Sequence, residues 1–260
     1  MNVTKKIMLS AIALAALAGG PATAADLRPV YKAAPPPPPP VYFSWTGCYF
    51  GGNVGGLWVH RQFTDRLVGD PFFGQTFNSD TSSFLGGVQG GCNYQFAGGW
   101  VIGIQGDYDW TGNNNDNLIF FNNVRGSFNT KNLASLTGRI GYAFWDRFLG
   151  YVKGGAAWER DDFSFFFPNG AVANLTGNTR SGWTVGVGGE YAFTNWITGF
   201  IEYDHYGFGN NSDNFICGPA ACVVGLGTAF PVDRKETKDV FKVGLNFLWG
   251  PGAWGPGRRY

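Results

Sequence analysis

The sequence predicts an all-β fold, an eight-stranded antiparallel up-and-down transmembrane β-barrel. Three observations support it: eight segments alternate apolar and polar residues at period two, large aromatic residues occupy many apolar positions, and the connections alternate between short and long. A strand with this alternation has one apolar and one polar face. Because the apolar faces are aromatic and the polar faces carry carboxylates, we expect lipid outside the barrel and polar groups within it.

The composition favours the same architecture. Charged residues make up only 14% of the chain, against about 25% in ordinary soluble domains. The 41 glycines are about double the usual share. No segment after the N-terminus approaches the roughly 18 consecutive apolar residues of a transmembrane helix. A soluble β-sandwich is the alternative, but it would bury the aromatic faces and expose more charge on the others.

Residues 1–24 have the pattern of an export signal. Lys5 and Lys6 form a basic region, residues 7–18 are apolar, and small residues at 22–24 predict cleavage between Ala24 and Ala25. A retained anchor is the alternative, but the apolar run is too short to span a bilayer. Without the two lysines, 17 of the 19 basic side chains remain beside 18 acidic ones. This balance gives no reason to expect nucleic acid as a partner.

Residues 25–44 are predicted to be a proline-rich periplasmic linker. Six consecutive prolines at 35–40 favour an extended polyproline II rod. We interpret this segment as a stiff spacer, with a docking site for a periplasmic partner as the alternative.

The barrel itself is predicted over residues 45–248. Its connections alternate between tight turns at 97–99, 145–147 and 194–195 and long segments near 60–82, 112–130, 161–180 and 208–236. Short periplasmic turns and long extracellular loops are typical of outer-membrane barrels. We therefore expect the tight turns to face the periplasm and the long segments to face the outside of the cell. The eight predicted strands are residues 45–59, 83–96, 100–111, 131–144, 148–160, 181–193, 196–207 and 237–248.

The polar faces of these strands predict a charged network in the lumen. Eight strands enclose a space that side chains just fill, and buried charges require partners. We expect this network to fill and stiffen the barrel, with a conduction or proton path as the alternative. The predicted lumen residues are Asn53, Gln89, Asn93, Gln105, Asp107, Asp109, Arg139, Lys153, Glu159, Glu190, Glu202, Asp204 and Lys242.

Four cysteines in an exported chain can pair as disulfides. Cys48 and Cys92 lie near the same end of the first two strands, and pairing them keeps the faces of both strands consistent. Cys217 and Cys222 enclose four residues of the last long connection. We therefore expect disulfides 48–92 and 217–222, with four free thiols as the alternative.

The sequence predicts no metal site, no cofactor and no catalytic residue. The chain has two histidines, His60 and His205, and neither has a second ligand at a useful spacing. No Gly-x-Ser-x-Gly elbow, Walker loop or His-Glu-x-x-His run occurs. Asp204 is adjacent to His205, but neighbours in a strand point to opposite faces and cannot share one site. We therefore do not expect an enzyme.

The chain resembles the small outer-membrane β-barrel proteins of alphaproteobacteria, called porin-family or OmpA-like barrels. The resemblance covers about residues 1–248, and each motif is weak alone although eight in order are specific. The motifs are WTGCYFGGN at 45–53, GGVQGGCNYQ at 86–95, GIQGD at 103–107, TGRIGY at 137–142, YVKGG at 151–155, GWTVG at 182–186, EY at 202–203 and VGLNF at 243–247.

This resemblance implies an abundant outer-membrane protein whose partners are membrane lipid, lipopolysaccharide and the outer-membrane assembly machinery. The chain departs from the family in two places. Gln105 stands where an acidic residue is frequent, and Phe247 is followed by further residues instead of ending the chain. Because Pro251 and Pro256 cannot extend a strand, we expect the assembly signal to end at Phe247 and residues 249–260 to form a tail; a role for Tyr260 is the alternative.

Three functions remain open from the sequence. The leading hypothesis is a structural envelope barrel whose long loops make surface contacts. The alternatives are a narrow channel for ions or small solutes, and an adhesin or receptor for an unidentified surface ligand. Aromatic residues in the predicted loops, at 72–73, 163 and 165–167, either extend the strands beyond the membrane or line a contact surface. We favour strand extension.

Overall fold

The wall of the barrel is a single antiparallel sheet, seen in a computed structural model. The structure describes residues 43–66, 73–112, 116–119, 125–145, 147–166, 172–216 and 229–250. The predicted export signal, almost all of the linker, Cys217, Cys222 and residues 251–260 lie outside these ranges. The strands are β1 Gly47–Asp65, β2 Thr76–Gln95, β3 Trp100–Thr111, β4 Asp116–Ile119, β5 Arg125–Phe144, β6 Phe148–Phe166, β7 Val172–Ala192, β8 Ile197–Ile216 and β9 Ala229–Trp249.

Eight of these strands close the barrel, as predicted. Each pairs with its neighbour in the chain, β3 pairs with β5, and β9 returns to pair with β1. The short β4 pairs with residues 125–128 of β5, beyond the point where β3 has ended. Among the described residues, no helix is both long and apolar enough to cross a membrane.

The strands are staggered by ten residues around the barrel. A path along directly paired residues leaves β1 at Cys48 and returns to β1 at Trp58. Such a stagger requires the strands to tilt by about 35–45° from the barrel axis. The path runs through Cys48, Cys92, Ile104, Gly138, Gly154, Val185, His205, Asp239 and Trp58.

Three tight turns connect strands at one end of the barrel, where the sequence predicted them. Ala97–Gly99 form a 3-10 turn in which Gly98 and Gly99 adopt φ values of 80° and 87°, which favour glycine. The other turns lie between Phe144 of β5 and Phe148 of β6 and between Ala192 of β7 and Ile197 of β8. At the same end, β9 stops at Trp249 and Gly250 follows with a φ of 129°.

The strands extend much further at the opposite end than the sequence predicted. All barrel strands except β3 have 19 to 21 residues. Most of the residues in the four predicted long loops therefore belong to strands. Phe163, Phe165 and Phe166 belong to β6, which agrees with the preferred strand extension, whereas Phe72 and Phe167 lie outside the described residues.

Two belts of exposed aromatic side chains encircle the outer wall. Aliphatic side chains such as Val54, Ile104, Val152 and Ile201 cover the wall between them. The lower belt, at the short-turn end, contains Tyr94, Phe96, Trp100, Tyr142, Phe144, Tyr191, Phe193, Trp196, Phe247 and Trp249. The upper belt contains Trp58, Phe84, Trp110, Trp158, Trp183 and Phe241.

This outer surface has the dimensions of a bilayer. The stretches that run from belt to belt, for example 84–94, 183–191 and 241–249, have 9 to 11 residues, and a tilted transmembrane strand needs about that number. Aromatic belts at both interfaces are typical of membrane barrels. The upper parts of the strands, such as 59–65 of β1 and 159–166 of β6, therefore project beyond the membrane.

The lumen contains two apolar layers, and their order follows from the inward-facing residues of β9. From the short-turn end, these residues include the apolar Leu248, the polar Asn246 and Lys242, the apolar Val240 and the charged Lys238, so apolar and polar levels alternate. The lower apolar layer consists of Phe43, Trp45, Tyr49, Val101, Leu149, Tyr151, Ala192 and Leu248. The upper apolar layer consists of Leu57, Val59, Leu85, Leu133, Ala157, Tyr206, Phe208 and Val240.

Candidate functional site

The structure gathers most of the predicted lumen residues between the two apolar layers. We call this group the lower charged chamber. It contains five carboxylates and three cationic side chains, all nearly or fully buried. Its members are Asp107, Asp109, Arg139, Lys153, Glu190, Glu202, Asp204 and Lys242. Asn53, Gln89, Asn93 and Gln105 are buried beside them.

Lys153 and Lys242 hold the carboxylates of the lower charged chamber together. The Nζ atom of Lys153 lies 2.6 Å from Glu202 Oε1 and 3.2 Å from Asp204 Oδ2. The Nζ atom of Lys242 lies 3.1 Å from Asp204 Oδ2, 3.3 Å from Asp107 Oδ1 and 3.5 Å from Asp109 Oδ2. Each ammonium group therefore contacts several carboxylates, and such multiple contacts are needed to offset the cost of burying charged groups.

Arg139 occupies the lower part of the chamber. Its Nη2 donates to Glu190 Oε2 at 3.0 Å, and its Nε donates to Asn93 Oδ1 at 2.8 Å. The guanidinium also lies between the rings of Tyr49 and Tyr151, at 4.9 Å and 4.6 Å from their centroids. This contact adds a cation–π attraction to the ion pair.

A second charged group lies above the upper apolar layer, and the sequence predicted only one of its members, Glu159. We call it the upper charged cluster. Five of the other members fall in strand extensions that the sequence predicts to be loops, whereas Lys238 lies within the predicted strand 237–248, on the same face as Lys242. Its members are Arg61, Glu159, Asp161, Arg180, Arg234, Glu236 and Lys238.

Each carboxylate of the upper charged cluster lies near at least one cation. Glu236 is 2.9 Å from Arg61 Nε and 3.1 Å from Arg180 Nη1, and Lys238 Nζ contacts Glu159 at 2.5 Å. Burial and Glu236 raise the pKa of Glu159 to about 8, against the lowering effect of Lys238. One carboxylate oxygen from each of Glu159, Asp161 and Glu236 lies within 4.8 Å of the other two. The neighbouring arginine and lysine side chains already balance the charge of these carboxylates.

Both histidines lie on the outer wall, where the structure gives them partners that sequence spacing does not reveal. His205 faces outward while Asp204 is buried in the lumen, as strand alternation requires. His205 Nδ1 is 2.7 Å from Asp239 Oδ1 on the neighbouring β9. His60 Nδ1 is 2.8 Å from Asp80 Oδ1 on β2.

A disulfide joins Cys48 to Cys92 across β1 and β2. The two residues are direct partners in the register. Both lie on the outer wall near the short-turn end, where Cys48 is the direct partner of Trp249 of the lower aromatic belt and Cys92 is the direct partner of Ile104 of β3. The other predicted pair, Cys217 and Cys222, lies outside the described residues.

Comparisons with known proteins identify relatives along most of the chain. The family model for the outer membrane protein beta-barrel domain matches residues 10–230. The 31 kDa outer-membrane immunogenic protein of Brucella melitensis biotype 1 is 28% identical over 250 residues, which cover 94% of this chain and 99% of that protein. The protein of the same name from Brucella suis biovar 1 matches to the same extent.

Among solved structures, the outer membrane protein OprG from Pseudomonas aeruginosa has a similar fold. The TM-score is 0.50 at 13% sequence identity, and the match covers 81% of this chain and 99% of OprG. At this identity, the likeness extends to the fold alone.

Proposed function

This chain belongs to the outer membrane protein β-barrel family, and we propose that it is a structural, non-conducting envelope barrel with a surface for extracellular contacts. Its membership places the protein in the outer membrane. The observation that carries the proposal is the filled lumen, in which two apolar layers alternate with two charged levels. Side chains fill an eight-stranded barrel in this way, whereas wider porins keep an aqueous channel.

The upper apolar layer argues against the alternative of a narrow pore. Leu57, Leu133, Ala157, Tyr206 and Val240 are each 0% exposed and separate the lower charged chamber from the upper charged cluster. An ion crossing this layer would exchange its hydration shell for mostly apolar surroundings, which is costly. We therefore propose that the charged groups stiffen the wall and do not form a conduction path.

Recording from single barrels in planar bilayers tests this proposal. Folded protein, verified by its heat-modifiable mobility on gels, is expected to give no conductance steps. A Leu57→Ala/Leu133→Ala/Val240→Ala variant thins the upper apolar layer and serves as a comparison. Reproducible steps from the unmodified protein would instead support the channel. If neither the unmodified protein nor the triple variant gives conductance steps, the charged levels also prevent ions from passing through the lumen.

A second candidate function, adhesion or reception, is supported by the strand extensions. With the short turns in the periplasm, the ends of β5, β6, β7 and β8 project outside the cell. The Brucella relatives are named immunogenic, and an exposed protein surface is consistent with that name. We propose that the tips of these strands carry any ligand contact.

Deleting residues 167–171 tests the adhesion candidate. These residues join β6 to β7, so the deletion leaves Asp161 and Arg180 of the upper charged cluster in place. We expect the barrel to retain its heat-modifiable mobility while binding of whole cells to host or environmental surfaces falls. Unchanged binding by the folded variant would exclude this connection as the contact region.

We also propose that the protein is not an enzyme. Among the described residues, the polar side-chain partners of His60 and His205 are carboxylates, and no serine or threonine hydroxyl hydrogen-bonds either imidazole. A nucleophile activated by a histidine would need that contact.

A further inference from the structure

The only two histidines in the chain meet at one carboxylate on the outer wall. His60 lies on β1 and His205 on β8, and both strands pair with β9, from which Asp239 projects between them. Although 145 positions separate the histidines in the sequence, His205 Nδ1 is 2.7 Å from Asp239 Oδ1, and His60 Nε2 is 3.8 Å from Asp239 Oδ2.

These two distances describe different contacts. The 2.7 Å separation is a hydrogen bond, but 3.8 Å is too long for one. Zinc binds imidazole nitrogen at about 2.0–2.1 Å and carboxylate oxygen at about 2.0–2.2 Å. An ion between His60 Nε2 and Asp239 Oδ2 would therefore fit the observed separation with both bonds near their normal lengths and with an angle at the metal wider than the tetrahedral one.

The remaining atoms of both side chains are already held in place. His60 Nδ1 is hydrogen-bonded to Asp80 Oδ1 at 2.8 Å. Asp239 Oδ1 accepts hydrogen bonds from Tyr203 at 2.6 Å and from His205 at 2.7 Å. A carboxylate behind a ligating histidine, and hydrogen bonds to a ligating carboxylate, are the usual supports of a metal site.

We propose that His60 Nε2 and Asp239 Oδ2 bind a divalent transition metal, with zinc the best match. Mixed nitrogen and oxygen donors suit zinc, whereas magnesium and calcium prefer oxygen ligands alone. Asp80, Tyr203 and His205 act as positioning residues. The imidazole of His60 is 53% exposed, so water completes the coordination.

The position of the site on the wall agrees with ion binding. The backbone of His60 lies two residues beyond Trp58 of the upper aromatic belt, and Asp239 lies two residues beyond Phe241 on β9. Both ligands are therefore at the edge of the apolar wall, where a hydrated ion can reach them. The metal would link β1 to β9, the first and last strands of the barrel.

Isothermal titration calorimetry with zinc chloride tests this site on the full chain folded in zwitterionic detergent. We expect saturable binding of one zinc ion per barrel at pH 7. His60→Ala and Asp239→Asn should eliminate this binding. Asp80→Asn and His205→Ala should weaken it by about 10- to 100-fold, which is the usual loss when a supporting residue is removed.

Two controls separate this site from other metal contacts. Asp162→Asn removes a carboxylate from β6, away from the site, and should leave the affinity unchanged. Because Cys217 and Cys222 are also zinc ligands by chemical type, binding that survives in His60→Ala would place the metal elsewhere and overturn the proposal. The absence of saturable binding to the unmodified barrel would overturn it as well. Heat-modifiable mobility verifies that each variant is folded.

Discussion

Replacing Lys242 with methionine is expected to lower the free energy of unfolding by about 3–5 kcal/mol. The ammonium group of Lys242 lies within 3.5 Å of oxygens from Asp107, Asp109, Glu202 and Asp204. Methionine fills a similar volume but leaves these buried carboxylates with one cation fewer. The cost arises because a charge that has lost its partner cannot recover its hydration inside the barrel.

Urea unfolding of the detergent-folded barrel, followed by gel mobility, measures this effect. Lys235→Met is the matched control, since Lys235 lies on the same strand but is exposed. We expect the control to change the free energy of unfolding by no more than about 0.5 kcal/mol. Equal stability of Lys242→Met and the unmodified protein would show that Lys153 and Arg139 suffice to balance the lower charged chamber.

Replacing Gly155 with valine is expected to cost about 3 kcal/mol or more, or to prevent folding. Gly155 faces the lumen on β6, and a Cβ atom there would overlap the carbonyl oxygen of Leu136 and lie 2.8 Å from the Cα of Thr137. Both are backbone atoms of the paired strand β5. They cannot move away without disturbing the register between the two strands.

The neighbouring Gly154 provides the control for this prediction. It faces outward, and an added Cβ would meet nothing nearer than the carbonyl oxygen of Thr184 at 3.5 Å, an ordinary contact. Gly154→Val should therefore change the urea midpoint little. If Gly154→Val and Gly155→Val unfold at the same urea concentration, the steric clash in the narrow lumen does not determine the stability of the Gly155 variant. The β-propensity of valine would then determine the stability of both variants.

The period-two pattern was sufficient to predict the barrel, its strand number and the two faces of its wall. In the membrane-spanning part the pattern is simple, because Val54 and Trp58 face lipid while Asn53 faces the lumen. The tight turns could also be located, since short polar and glycine-rich segments interrupt the alternation.

The upper ends of the strands could not be predicted because apolar residues no longer occupy the outward-facing positions there. On β1, Leu57 and Val59 point into the lumen while His60 and Gln62 point outward. Beyond the membrane, the outer wall meets water and becomes polar, while the inside carries both apolar and charged side chains. A pattern that assumes an apolar exterior therefore appears to end at the membrane surface.

The partners of the histidines depend on register, which a single sequence does not specify. His205 and Asp239 are direct partners between β8 and β9, and His60 lies diagonally from Asp239 across β1 and β9. This arrangement follows from the ten-residue stagger of the closed barrel. In the sequence alone, neither histidine has a second ligand at a useful spacing.

The disulfide between Cys48 and Cys92 has a consequence for the order of maturation. The two cysteines lie on the outer wall at the lower aromatic belt, where Cys48 is the direct partner of Trp249, so large water-soluble enzymes would have poor access once lipid surrounds the protein. We therefore expect oxidation to precede insertion, while both thiols are still in the aqueous periplasm. The chain would then reach the membrane with its first hairpin covalently aligned before the other strands assemble.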